Sequence, residues 1–166
     1  MVYIGFDNGV TSNGIGMVTS NQDSLLYKLP IKKELSYTKE AKFIHRIDYK
    51  ELVKLLNGIR MDFDGDEHFH VGLERPMVNS ARFNASLSAI RALEATLIAL
   101  EEVQMPYTYI DSKEWQKVLL PRNIKGSDEL KKASLDVGKR LFPLANIKKD
   151  ADGLLIAEYL RRKDIR

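Results

Sequence analysis

The apolar residues of this chain change their period after about thirty residues, and that change limits the folds open to it. Residues 1–6 are a short apolar, β-rich run ending at Asp7. Asn8-Gly9 and Asn13-Gly14 are turn signals. Residues 15–19 read as a second strand, closed by Ser20-Asn-Gln-Asp23, and residues 24–31 as a third, with Pro30 near its end. Three strands joined by short turns predict an antiparallel meander. From there the spacing becomes helical. Ala41, Ile44, Ile47, Leu52, Leu55, Leu56 and Ile59 predict a helix over 38–61.

Strands and helices then alternate. Residues 69–73 form a buried-type strand ending at Glu74, with Arg75-Pro76 behind it. Leu87, Ile90, Leu93, Leu97 and Leu100 mark one stripe of a long helix. Residues 106–110 are a fifth strand ending at Asp111, and 114–120 a short helix stopped by Pro121. Leu130, Ala133, Val137 and Leu141 predict a helix stopped by Pro143, and 154–160 belong to a last one. The order βββαβα, then β and helices, favours a partly parallel sheet with helices packed on it. No repeat, low-complexity tract or linker interrupts the 166 residues, so one domain over 1–166 is expected.

Composition narrows the chemistry. With 44% hydrophobic and 30% charged residues the chain can bury a core. It has no cysteine, which excludes disulfide scaffolds, thiolate zinc sites and Cys nucleophiles. No apolar run reaches the roughly 20 residues of a membrane span. The start MVYIGFDNG lacks a basic segment followed by an apolar one. A cytoplasmic protein without a membrane partner is expected. The net charge of +3 is unevenly spread. Residues 113–166 hold 14 Lys and Arg against 8 Asp and Glu, whereas the remainder is slightly acidic. A polyanionic partner or an ordinary solvated surface both fit that asymmetry.

Four carboxylates stand where chemistry can be done. Asp7 and Glu74 follow the apolar strands VYIGF and FHVGL, and Asp150 and Asp152 precede an apolar helix. Sites in such sheets gather beyond the carboxyl ends of the strands. Taken singly, a strand-end carboxylate is a turn residue and an Asp before a helix is a cap. Taken together, they crowd negative charge beside apolar strands, a conflict that a divalent cation resolves. Oxygen ligands without thiolates favour Mg²⁺, with Mn²⁺ as substitute. Two such ions, about 4 Å apart, activate water and stabilise the leaving oxygen of a phosphodiester.

The strand IGFDNG, the strand VGLERP and the late segment KKDADGLLIAEYL resemble RuvC-type Holliday junction resolvases. The segments WQKVLLP and KGSDELKKASLDVGKRLFP look like the phage branch of that group. The resemblance runs in order over nearly the whole chain. It implies a ribonuclease H-like fold: a five-stranded mixed sheet, three antiparallel strands then parallel ones, with helices on both faces. It further implies a homodimer that cuts branched DNA with two Mg²⁺ ions per site and no small-molecule cofactor. A phage-encoded member would act in the host cytoplasm. By position, Asp7, Glu74 and Asp152 match the family's ligands. Many relatives carry another ligand three residues before the last Asp; that position is Lys149 here, and the additional carboxylate is Asp150. Asp150 is thus either a further ligand or the helix cap. Some relatives place a base-stacking aromatic just past the strand glutamate. Met77 stands there, and Phe83 is the candidate for that role or a packing residue. Lys113, Lys117, Lys125 and Lys132 are candidates for phosphate contacts.

Other patterns are weaker. Residues 62–67, DFDGDE, invite a calcium-loop reading, but positions six and twelve counted from Asp62 hold Glu67 and Leu73. A solvated loop fits better. His68 and His70 share a strand face without a third ligand, so half-buried histidines are expected. Residues 7–12, DNGVTS, resemble the phosphate loop of the sugar kinase and actin superfamily, which uses two such domains around ATP. An ATP-binding phosphotransferase-like domain and a non-catalytic nucleic-acid-binding module are therefore the alternatives to the nuclease.

Overall fold

A computed structural model describes residues 1–10, 14–37, 39, 42–63 and 68–164. Among the described residues seven strands and five helices follow one another: β1 (Val2–Phe6), β2 (Ile15–Thr19), β3 (Ser24–Tyr27), β4 (Ile31–Leu35), β5 (Phe43–Ile47), α1 (Tyr49–Asp62), β6 (Phe69–Glu74), α2 (Phe83–Glu102), β7 (Tyr107–Ile110), α3 (Ser112–Leu119), α4 (Ser127–Leu141) and α5 (Asp152–Asp164). A 3₁₀ turn, Ser80–Arg82, leads into α2. Five strands form one sheet in the order β3-β2-β1-β6-β7. The β1–β2 and β2–β3 pairs are antiparallel, and the β1–β6 and β6–β7 pairs parallel. This is the expected mixed sheet of a ribonuclease H-like fold.

Every residue of β1 is buried, because helices cover both faces of the central strand. Alternation divides its side chains. Val2, Ile4 and Phe6 join Met17, Val71 and Leu73 against Leu52, Leu56 and Ile59 of α1 and Ala92, Ala99 and Leu100 of α2. Tyr3, with Val18 and Ile110, meets Trp115 of α3, Val137 of α4 and Leu154, Leu155 and Ile156 of α5. Ser80–Glu102 is long and apolar enough to cross a membrane by length and composition. Its Ala92, Ala99 and Leu100 instead enter the core of the sheet domain.

The third strand and first helix differ from expectation. Residues 24–31 are not one strand: β3 stops at Tyr27, and beyond Pro30 the chain begins β4. Of the helix expected over 38–61, residues 38, 40 and 41 lie outside the described residues, Phe43–Ile47 is β5, and the helix begins at Tyr49. Ile44 and Ile47 have helical spacing, but β5 pairs antiparallel with β4, and Asp48 ends the extended run. The Asp48 side chain accepts the Glu51 N–H as N-cap of α1. The pair β4–β5 is a separate two-stranded sheet, anchored at its base by buried Leu29 and Ile47.

Three glycines determine where α5 lies. Gly5 is paired with Gly16 on one side and with Gly72 on the other. A Cβ on Gly5 would lie 2.6 Å from Ala157 N, and one on Gly16 would overlap the backbone at Gly153 and Leu154. Removing side chains along this row lets the α5 backbone rest directly on the sheet. Gly in a strand costs roughly 0.5–1 kcal/mol in propensity, and here it admits a helix whose residues Gly153 to Glu158 and Leu160 are buried.

Candidate metal centre

The parallel register sets Phe6 beside Leu73, so Asp7 and Glu74 emerge side by side at the carboxyl end of the sheet. The Gly9 N–H donates to Asp7 Oδ1 at 3.2 Å, folding the turn back on the carboxylate. Asn8 is buried, and its Nδ2 donates to the Glu74 carbonyl at 2.9 Å, tying the two strand ends together. Its Oδ1 is buried without a hydrogen-bond partner among the described residues.

The glycine row brings the start of α5 to the same place. Asp150 lies before the helix, and its Oδ1 accepts the Asp152 N–H at 2.9 Å. Asp7, Asp150 and Asp152 each present a carboxylate oxygen, all within 4.8 Å of one another. Asp150 therefore satisfies the first N–H of the helix from one residue before the cap position, Ala151, and also faces the cluster. The positive end of the α5 backbone dipole favours this gathering of negative charge.

Glu74 is not among the carboxylates within 4.8 Å of one another, but it lies near enough to feel their charge. Its Oε1 accepts the Trp115 indole N–H at 3.0 Å. Burial, chiefly, and then the charge of Asp7 push its pKa up to about 8, with Asp152 and Asp150 adding to the rise and the Trp115 hydrogen bond opposing it. Burial and then Asp150 push Asp152 up to about 7, opposed by the Ser134 hydroxyl, which donates to Asp152 Oδ1, and by Lys131. Lys131 and Ser134 stand one turn apart on α4. Neutralisation by proton or by cation relieves this crowding. An all-oxygen set of carboxylates fits a hard divalent cation, so the residues present suit Mg²⁺ or Mn²⁺.

The other candidate residues are exposed side chains that are not part of the carboxylate cluster. Lys113, Lys117, Lys125 and Lys132 are all exposed. Lys113 and Lys117 line an open depression with Arg122 between α3 and the start of α4. Phe83 is 66% exposed at the first residue of α2 and not packed in the core; Met77 is exposed too. His70 hydrogen-bonds Asp164 and Thr108, so it is engaged within the fold. Residues 11–13, including part of DNGVTS and of the Asn13-Gly14 turn, and residues 64–67 of the acidic loop lie outside the described residues.

Sequence reasoning missed Trp115, Ser134 and Asn8. Trp115 was legible only as the chain's single Trp on the apolar side of a short helix. Nothing local marks Ser134, 18 residues before its partner.

These features define an α/β protein of ribonuclease H-like fold with an acidic cluster at the carboxyl end of its sheet. No family model matches the chain, and no curated protein matches its sequence. Solved structures do match. Thermus thermophilus RuvC in complex with Holliday junction substrate aligns with TM-score 0.57 and 16% identity, over 96% of this chain and 92% of that one. A second Thermus thermophilus RuvC structure aligns with TM-score 0.57 and 14% identity, over 99% of this chain and 97% of that one. The fold is RuvC-like.

Proposed function

We propose that this chain is a divalent-metal-dependent endonuclease that cuts phosphodiesters in branched DNA, Holliday junctions among them. The observation that carries this reading is the convergence of Asp7, Asp150 and Asp152 within 4.8 Å at the end of a RuvC-like sheet, with Glu74 coupled to them. One structural neighbour is described as bound to a Holliday junction substrate.

Asp7, Glu74, Asp150 and Asp152 would hold Mg²⁺, with Mn²⁺ as substitute and two ions as the working number. When bound, the cations supply a water activated for in-line attack and stabilise the departing 3′ oxygen. The chain itself does the positioning. Gly9 N–H orients Asp7, Trp115 orients Glu74, and Ser134 orients Asp152. Lys131, whose charge is felt at Asp152, offsets negative charge on the phosphate. Lys113, Lys117, Lys125 and Lys132 contact the backbone, and exposed Phe83 stacks on an unpaired base. The two-fold symmetry of a four-way junction calls for a homodimer with two active sites. The WQKVLLP and KGSDELKKASLDVGKRLFP segments support a phage-type member working in a host cytoplasm.

The test is cleavage of synthetic four-way, three-way and flap DNA with and without Mg²⁺, using Asp7→Asn and Glu74→Gln. Both variants should lose cleavage and keep junction affinity in Ca²⁺. A variant that cuts at the wild-type rate removes its residue from the site, and a wild-type protein that cuts none of these substrates overturns the reading.

A further inference from the structure

We propose that one face of the β4–β5 hairpin, with the groove at its base, is a binding track for an unpaired nucleic-acid strand leading to the carboxylate cluster. The proposal rests on the nuclease reading for the direction of that strand. Its own support lies in the hairpin.

Strand alternation sorts the hairpin's side chains into two faces of opposite character. Lys32 is paired with Arg46, and both reach Glu34 at 2.7 Å, so a carboxylate partly neutralises that face. The other face carries the pairs Leu35↔Phe43, Lys33↔His45 and Ile31↔Ile47. Leu35 and Phe43 are 61% and 60% exposed, and Lys33 Nζ lies 4.7 Å from the centre of the Phe43 ring. Lys33 has no acidic partner among the described residues. An exposed ring with a cation beside it suits a base face together with its phosphate.

This second face is continuous with a groove of about 1270 Å³. Ile31 and His45, at the hairpin's base, line it. So do Lys28, Lys148 and Lys149, which also lack acidic partners among the described residues. Carboxylates line the groove too: Asp48, which caps α1, and Glu51, whose charge is offset within the groove by Lys54 at 2.6 Å. Asp62 stands at the other end of α1. Lys149 directly precedes Asp150, so the groove meets the loop that supplies the cluster. Lys33 on the hairpin, with Lys28, Lys148 and Lys149 in the groove, supplies cations unpaired among the described residues for the phosphates of a strand. The exposed ring selects one with bases free to unstack, which favours a single strand over a duplex.

Fluorescence anisotropy with a labelled 20-mer of thymidine, in Ca²⁺ at low salt, tests the track. Wild-type protein should bind it, and Phe43→Ala and Lys33→Ala should each weaken binding, together by at least about tenfold. Phe43→Trp should restore affinity, with its fluorescence quenched by the bound oligonucleotide. Unchanged melting temperatures separate these effects from misfolding. Equal affinity of the double variant and the wild type, or no binding by the wild type, overturns the track. Cleavage of four-way junctions by the wild type in Mg²⁺, run in parallel, keeps the two readings apart. Cleavage without hairpin-dependent oligonucleotide binding sinks the track alone. Hairpin-dependent binding without cleavage of any branched substrate sinks the nuclease reading and leaves the track standing.

Discussion

Trp115 donates its indole N–H to Glu74 Oε1 at 3.0 Å, so a fully buried ring on α3 holds a carboxylate at the end of β6. The bond favours the ionised form of Glu74 against burial and three neighbouring aspartates. Trp115→Phe keeps the ring and removes the donor. The Glu74 pKa should then rise further, moving the acid limb of Mg²⁺-dependent cleavage to higher pH, with a smaller change at the plateau. A pH–rate profile measures this. Superimposable profiles would reduce Trp115 to a packing residue.

The raised carboxylates make stability depend on pH with a definite sign. Glu74 at about 8 and Asp152 at about 7 keep protons in the folded state that the unfolded chain has already lost. Between about pH 4 and 8 the folded state binds more protons, so its stability falls as pH rises. In EDTA the melting temperature should drop by several degrees, as roughly 1–2 kcal/mol would produce, from pH 5.5 to 8.5. Mg²⁺ should recover most of that loss at pH 8.5 and do little at 5.5. Glu74→Gln should flatten the metal-free slope. A metal-free protein equally stable at both pH values would mean the carboxylates are not crowded.

Gly5→Ala should do more harm than a typical strand substitution. The new methyl meets the α5 backbone at Gly153 and Ala157, which cannot swing away like a side chain. Displacement of α5 should cost about 2–4 kcal/mol, in the range of core overpacking and lost burial. It should also move Asp152 away from Asp7. Differential scanning calorimetry with and without Mn²⁺ reads both effects: a lower melting temperature and a smaller stabilisation by the ion. Retention of the full metal response would detach cluster geometry from the glycine row.

Replacing Lys113, Lys117, Lys125 and Lys132 with Ala should weaken junction binding and flatten its salt dependence, by about 0.9 in the log–log slope for each duplex phosphate no longer neutralised. Titrations across a range of salt concentrations supply the slope. A parallel, unshifted line would place these lysines off the DNA.

On α2, Ile90 and Ile98 stand two turns apart on one side and are 43% and 47% exposed. If this face joins two copies, Ile90→Asp with Ile98→Asp should give a monomer that stays folded, since neither side chain is buried in the core. Sedimentation of wild-type and variant protein at micromolar concentration decides it. A wild-type protein that remains monomeric, alone and on junction DNA, removes the dimer from the proposal.

The mixed sheet and the positions of its carboxylates can be read from the residues alone, because those signals are local. VYIGF is continuously apolar because both its faces are covered, FHVGL is apolar except for His70 and buried over its second half, and each runs directly into an acidic residue. Asp150 and Asp152 are legible because they abut an apolar helix. The hairpin was not legible. Ile44 and Ile47 have helical spacing, and only the partner strand β4, with the Asp48 cap, makes that segment extended. The glycines at positions 5, 16 and 72 are visible one by one, but their alignment into a seat for α5 exists only once three strands are in register. The behaviour of the acidic groups likewise arises only in the folded chain. The partners of Glu74 and Asp152 are 41 and 18 residues away along the chain. Their raised pKa values come from burial and from one another's charge, which exist only when separated elements pack together.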